Sequence, residues 1–141
     1  MNAARTDVGS AWRALVDVED TIAEALDPAI VGICGLRISS ILDNSGEADR
    51  ASASLPSAKV AALTHWPRAS PALTGMERAC LAFAEQFVID VTSVDDELVD
   101  AVASHLAPEV LYLFVRWVQS NEARQRAELV LRYDQEVRSS P

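Results

Sequence analysis

The chain has 141 residues, a mass of 15.2 kDa and a formal net charge of −9, and half of its residues are apolar. That length suits one domain with a substantial core, and the acidic balance excludes a nucleic-acid surface, which needs clustered Lys and Arg. Two cysteines (Cys34, Cys80) and two histidines (His65, His105) confine thiol, imidazole and metal chemistry to very few positions.

Five Gly and six Pro among many Ala, Leu, Val, Arg and Glu make a helix-forming composition. The N-terminus, MNAARTDVGSAW, lacks the long apolar stretch of a secretory signal, and the apolar runs are too short to span a bilayer. The cysteines, 46 residues apart, fit no disulfide framework or zinc spacing. A single cytoplasmic domain over residues 1–141, with no membrane partner, is expected.

In chain order, Trp12, Leu15, Val16, Ile22, Ala23 and Leu26 recur at three- and four-residue steps and mark one face of a first helix. Asp27-Pro28 ends it, and Pro28 suits the first turn of a second helix, where its missing N–H costs nothing. This helix runs to about Leu42 with Ile30, Ile33, Cys34, Ile38 and Ile41 on one side. After the break at Asp43–Glu47, Asn44 and Glu47 form a capping pair for a short third helix. Pro56 starts a fourth carrying Val60, Ala61 and Leu63, which the loop HWPRASPAL ends. Thr74-Gly75-Met76-Glu77 is a capping box for a fifth helix reaching about Ile89. Asp95 caps a sixth, with Leu98, Val99, Val102 and Leu106 facing inward, and Pro108 opens a last one from Glu109 to about Arg132. The architecture is therefore all-α, six to seven helices with short connections.

Val110–Val118 (VLYLFVRWV) is apolar almost all round. Such a helix is either central in its own core or shared between subunits. A chain this short can hardly surround it, so the expectation is a homo-oligomer assembled through the helix 109–132, with a purely intramolecular core as the alternative.

LDPAIVGICGLRISSIL followed by a turn and a helix start, then SPALTGMERACLAFAEQF and VDDELVDAVASHLAPEVLYLFVRWV, resembles in order and apolar pattern the alkylhydroperoxidase D / carboxymuconolactone decarboxylase superfamily. The likeness covers about residues 26–131, with LR-x-S and T-x-x-E-R-A as local anchors. It implies a compact helical fold of that type. It also implies a redox site in which C-x-x-C opens a helix, a His follows one turn later and a Glu stands on the preceding helix. The helix start favours the thiolate, residues four apart share a face, and the Glu completes a proton relay. In this chain the two cysteine positions fall on Asn44 and Glu47, the His position on Ala51 and the Glu position on Gly32. No nucleophile, resolving thiol or imidazole remains at any of the four.

Three readings follow. The first is a non-redox binding or structural homo-oligomer that retains the fold, without cofactor or metal. The second is an enzyme using the inherited pocket for acid–base chemistry on a small organic acid. There Asn44, Glu47, Asp49 and Arg50 would be the candidate lining, Glu47 the acid or base and Arg50 the anion clamp. The third is thiol-dependent peroxidase activity through Cys34 and Cys80, which apolar surroundings otherwise mark as buried structural thiols. A solvated helix start is the simplest account of Asn44–Arg50, and Asp95, Asp96, Glu97 and Asp100 suit a helix's first turns without a bound cation. Trp12, Trp66 and Trp117 are too dispersed for a stacking platform.

Overall fold

The computed structural model describes the backbone of residues 2–139 and the side chains of residues 9–131. Among the described residues there are seven α-helices and no strand: α1 Asn2–Glu24, α2 Pro28–Ile41, α3 Ser45–Ala53, α4 Ser57–Thr64, α5 Gly75–Ile89, α6 Asp96–Ala103 and α7 Pro108–Ser139. A single 3₁₀ turn, Val91–Ser93, joins α5 to α6.

The helix starts follow local capping chemistry. Asp27 accepts from the Ala29 N–H at 2.8 Å, with Pro28 in the first turn of α2. Thr74 and Glu77 form the reciprocal capping box of α5, at 3.1 and 2.8 Å. Asp95 accepts from the Leu98 N–H at 2.9 Å to open α6. Each bond satisfies an N–H that the first helical turn leaves without an intrahelical acceptor. Helix α7 continues beyond the expected Arg132 to Ser139, because no Gly or Pro interrupts the chain between Pro108 and Pro141.

The central helix is α2. It packs against α1, α3, α4, α5 and α7 and buries Ile30, Ile33, Cys34, Gly35, Leu36, Ile38 and Ser39. A helix of this chain can thus be enclosed by its own neighbours. Helix α7 buries one seam, Phe114, Trp117 and Val118, while Val110, Leu111, Leu113 and Val115 are half-buried and Tyr112 is 65% exposed. Phe114 packs at a tilt on Phe83 of α5 (centroids 5.7 Å apart) and stacks on Trp117 (6.5 Å), and its burial contributes about 1.5–3 kcal/mol. Gly35 of α2 lies beside the Trp117 ring, where a Cβ would meet it in ordinary contact at 3.9 Å.

Two residues expected on apolar faces lie outside. Leu15 of α1 is exposed beside α7, and Ala61 of α4 faces solvent while Ala62 and Leu63 are buried. Helix α4 is tied to α5 by Lys59, whose ammonium donates to both Glu77 oxygens (2.7 and 2.6 Å) and to the Ala72 carbonyl (3.1 Å). Burial alone would raise the Glu77 pKa, but hydrogen bonds from Lys59 and Thr74 outweigh it and hold the carboxyl below its usual range.

Candidate functional site

The four positions that the resemblance would assign to a redox site lie on α2 (Gly32), at the N-cap of α3 (Asn44) and within α3 (Glu47, Ala51). Gly32 is half-buried on α2, and Leu55, in the turn after α3, packs over it. A Cβ built at residue 32 would stand 2.6 Å from Leu55 Cδ2 and 3.2 Å from Leu55 Cγ. A carboxylate side chain at residue 32 therefore has no room while Leu55 keeps this position. Ala51, on α3, is packed against the hydrophobic core.

Asn44 stands at the N-cap position of α3 but makes no side-chain capping bond, which corrects the expected Asn44–Glu47 capping pair. Its side chain is buried instead, 1% exposed, and its amide donates to Gln125 Oε1 on α7 at 3.1 Å. Gln125 in turn donates to Asn121 Oδ1 at 2.8 Å. Asn121 and Gln125 continue the seam of Phe114, Trp117 and Val118 at helical spacing, so the inward face of α7 changes from apolar to polar as it passes α3. Asn44 Oδ1 is buried without a hydrogen-bond partner among the described residues.

Glu47 is likewise not part of a solvated helix start. It accepts from Arg124 Nη2 of α7 at 2.6 Å and from Arg50 Nη2 at 2.6 Å. Arg124 Nε donates to both oxygens of Glu19 on α1, at 3.0 and 2.9 Å, and its Nη1 to Glu128 at 3.1 Å. One guanidinium thus joins α1, α3 and α7, its planar fork serving three carboxylates. Burial alone would raise Glu47, but hydrogen bonds from Arg124 and Arg50 hold its pKa below the usual range. For the more deeply buried Glu19, burial wins over Arg124 and the pKa is raised.

This network walls a cleft of about 450 Å³ whose other lining residues include Trp12, Val16 and Asp20. Of the expected pocket residues, Glu47 and Arg50 line it, Asn44 lies buried against α7, and Asp49 is exposed and does not line it. Arg50 was expected to be the anion clamp; it and Arg124 are both engaged by carboxylates. The lining holds Glu19, Asp20, Glu47 and Glu128 against two arginines, formally two negative charges in excess. An anion is therefore disfavoured here, and a Glu47 held ionised by two arginines is a weak proton acceptor. Sequence reasoning missed Glu19, Arg124 and Gln125; for the two on α7 the signal was polar residues recurring on its inward side.

Cys34 and Cys80 are free thiols, fully buried on the packed helices α2 and α5. Burial, with Cys80 and Glu77 nearby, pushes Cys34 well above the usual thiol value. Burial, reinforced by Asp27 and Glu77, pushes Cys80 up to about 12. Both hold their protons at neutral pH, and the thiolate is the reactive form. His65 caps the end of α4, and the His105 ring lies by Gly75 at the start of α5. Among the described residues, no three His, Cys, Asp or Glu side chains converge as a metal site, and no helix is long and apolar enough to cross a membrane.

No protein family, curated protein or solved structure matches this chain.

Proposed function

We propose that the chain is a non-redox member of the alkylhydroperoxidase D / carboxymuconolactone decarboxylase superfamily, acting as a binding or structural homo-oligomer in the cytoplasm. The observation that carries this reading is the state of the motif region. Gly32, Asn44, Glu47 and Ala51 offer no thiol or imidazole, Leu55 occupies the space over Gly32, and Asn44 and Glu47 are committed to Gln125 and Arg124. The groups standing there join helices, which suits retention of a scaffold after loss of redox chemistry. The buried, protonated Cys34 and Cys80 support structural roles, and the ion-paired Glu47 speaks against acid–base catalysis.

Assembly is supported by apolar side chains left open on the long helices: Leu15 and Val18 on α1, and Tyr112, Val130 and Leu131 on α7. Peroxide reduction with a dithiol donor is the test of the redox part, and no turnover above background is expected. Turnover that disappears in the C34S/C80S double variant would overturn it. Light scattering at micromolar concentration is expected to give a multiple of 15.2 kDa, and a strict monomer refutes assembly.

A further inference from the structure

The outward face of α7 carries a stripe of its own, opposite the buried seam. Glu109, Tyr112, Arg116, Gln119, Ala123 and Arg126 are all exposed and follow one another at alternating steps of three and four residues. That spacing averages about 3.5 residues per turn, the repeat with which one helix follows another along a shared seam. Arg116, Gln119, Ala123 and Arg126 of the stripe also line a groove of about 480 Å³, formed with α1 and α5, whose apolar lining is Leu15, Phe87 and Ala123.

The order of residues along the stripe indicates what covers it. Laid antiparallel on a second copy of itself, the stripe sets Glu109 opposite Arg126, Tyr112 opposite Ala123 and Arg116 opposite Gln119, each pair occurring twice about a two-fold axis. The bulkiest side chain of the stripe, Tyr112 at 65% exposed, thus meets the smallest, and Ala123 leaves the groove open for its ring. The Glu109 carboxylate has no partner among the described residues. Arg126 uses Nε on Glu122 and Nη2 on the Val88 carbonyl, which leaves Nη1 to donate to it. Other arrangements lose this match. A parallel pair sets Arg116 on Arg116 and Arg126 on Arg126, and an antiparallel pair shifted by one heptad sets Arg116 on Arg126 or Tyr112 on Arg116. Like charges facing across an interface are costly, so the charge order selects one register.

We propose that a second copy of this chain covers the groove: α7 pairs antiparallel with α7 of that copy about a two-fold axis level with Trp117 and Val118, and Tyr112 of each copy sits over Ala123 and Leu15 of the other. This rests on the homo-oligomer reading and gives it a surface and a register.

The test combines cross-linking with charge exchange in the full chain. Y112C and A123C chains, each keeping the buried Cys34 and Cys80, are oxidised with copper phenanthroline separately and after mixing. A disulfide-linked dimer is expected only from the mixture, because residue 112 faces residue 123 of the other copy and neither faces itself. A123R fills the groove and gives a monomer by light scattering. E109R and R126E each weaken dimerisation by about tenfold or more, and E109R/R126E, which exchanges the two charges, restores it. Circular dichroism checks the fold of each variant, and the cross-link decides the matter where one fails to fold. A multiple of 15.2 kDa without the 112–123 cross-link, or with A123R and E109R assembling like the unaltered chain, overturns this interface and leaves the homo-oligomer reading standing. A cross-link formed equally by either chain alone also overturns it. A strict monomer overturns both, whether or not the groove then takes another protein.

Discussion

Replacing Arg124 by Met isolates the electrostatic junction of α1, α3 and α7 while keeping much of the apolar stem. The loss falls unequally on its partners. Glu47 retains Arg50 at 2.6 Å, although Arg50 is largely exposed and contributes little by itself. Glu19 is left as a buried carboxylate with Asp20 and Glu47 nearby, and both of these already oppose its ionisation. Removing one partner of a buried ion pair costs about 3–5 kcal/mol. Some exposure of Glu47 and Glu128 puts R124M near the lower end, about 3 kcal/mol at pH 7, or a Tm lower by about 10 °C. The pH dependence follows from the Glu19 shift. Its folded pKa is raised, so protonated Glu19 is favoured in the fold, and that contribution is full at low pH and fades as pH rises through the folded pKa. In R124M the pKa rises further, so the deficit grows from acid pH to neutrality. E19Q removes the stranded charge, and the E19Q/R124M chain recovers most of the loss. Urea unfolding followed by circular dichroism, at pH 5 and pH 7, measures each difference. A loss below about 1 kcal/mol at pH 7, or an equal loss with Gln at residue 19, refutes the assignment of this junction as a buried charge network.

Further outcomes follow from other contacts. G35A is expected to stabilise by about 0.5–1 kcal/mol, since the added Cβ meets Trp117 at 3.9 Å, an ordinary contact, and Ala favours the helix; calorimetry showing a lower Tm refutes this. Native protein treated with a thiol reagent at pH 8 should show no reacting cysteine, and denatured protein both Cys34 and Cys80; rapid native labelling contradicts the burial and raised pKa of both. T74A removes the α5 cap and costs about 1 kcal/mol by urea titration, while a neutral result excludes the capping box as a source of stability. Glu77 has a lowered folded pKa, so its contribution is present at neutral pH and is lost as pH falls through that pKa. E77Q should therefore lose stability at pH 7 and little near pH 3, and a difference that does not vary with pH refutes it.

The superfamily reading depends on how far a short motif can be interpreted from its own segment. Sequence spacing was enough to find the start of α3 at Asn44, yet the capping pair expected there is absent. The competing partner, Gln125, is 81 residues away and offers a buried acceptor that a local reading cannot see. Glu47 was identified as the one acid of the region, but its chemistry changed once Arg124, 77 residues distant, was brought against it. The premise that a chain this short can hardly surround one of its own helices failed for a related reason. Apolar composition shows that a segment can be buried, but the enclosure of α2 depends on where the other helices lie.

The sequence by itself determined the all-α class and the helix starts at Pro28, Gly75, Asp96 and Pro108, because capping bonds and proline geometry act within three or four residues. It also determined that Gly32, Asn44, Glu47 and Ala51 carry no thiol or imidazole. Only the tertiary structure decided that α2 is central, that Leu55 covers Gly32, that Arg124 links Glu19 to Glu47, and that Asn44 is buried against Gln125. Those outcomes depend on contacts between residues distant in the chain, which loop closure and packing create and local periodicity does not record.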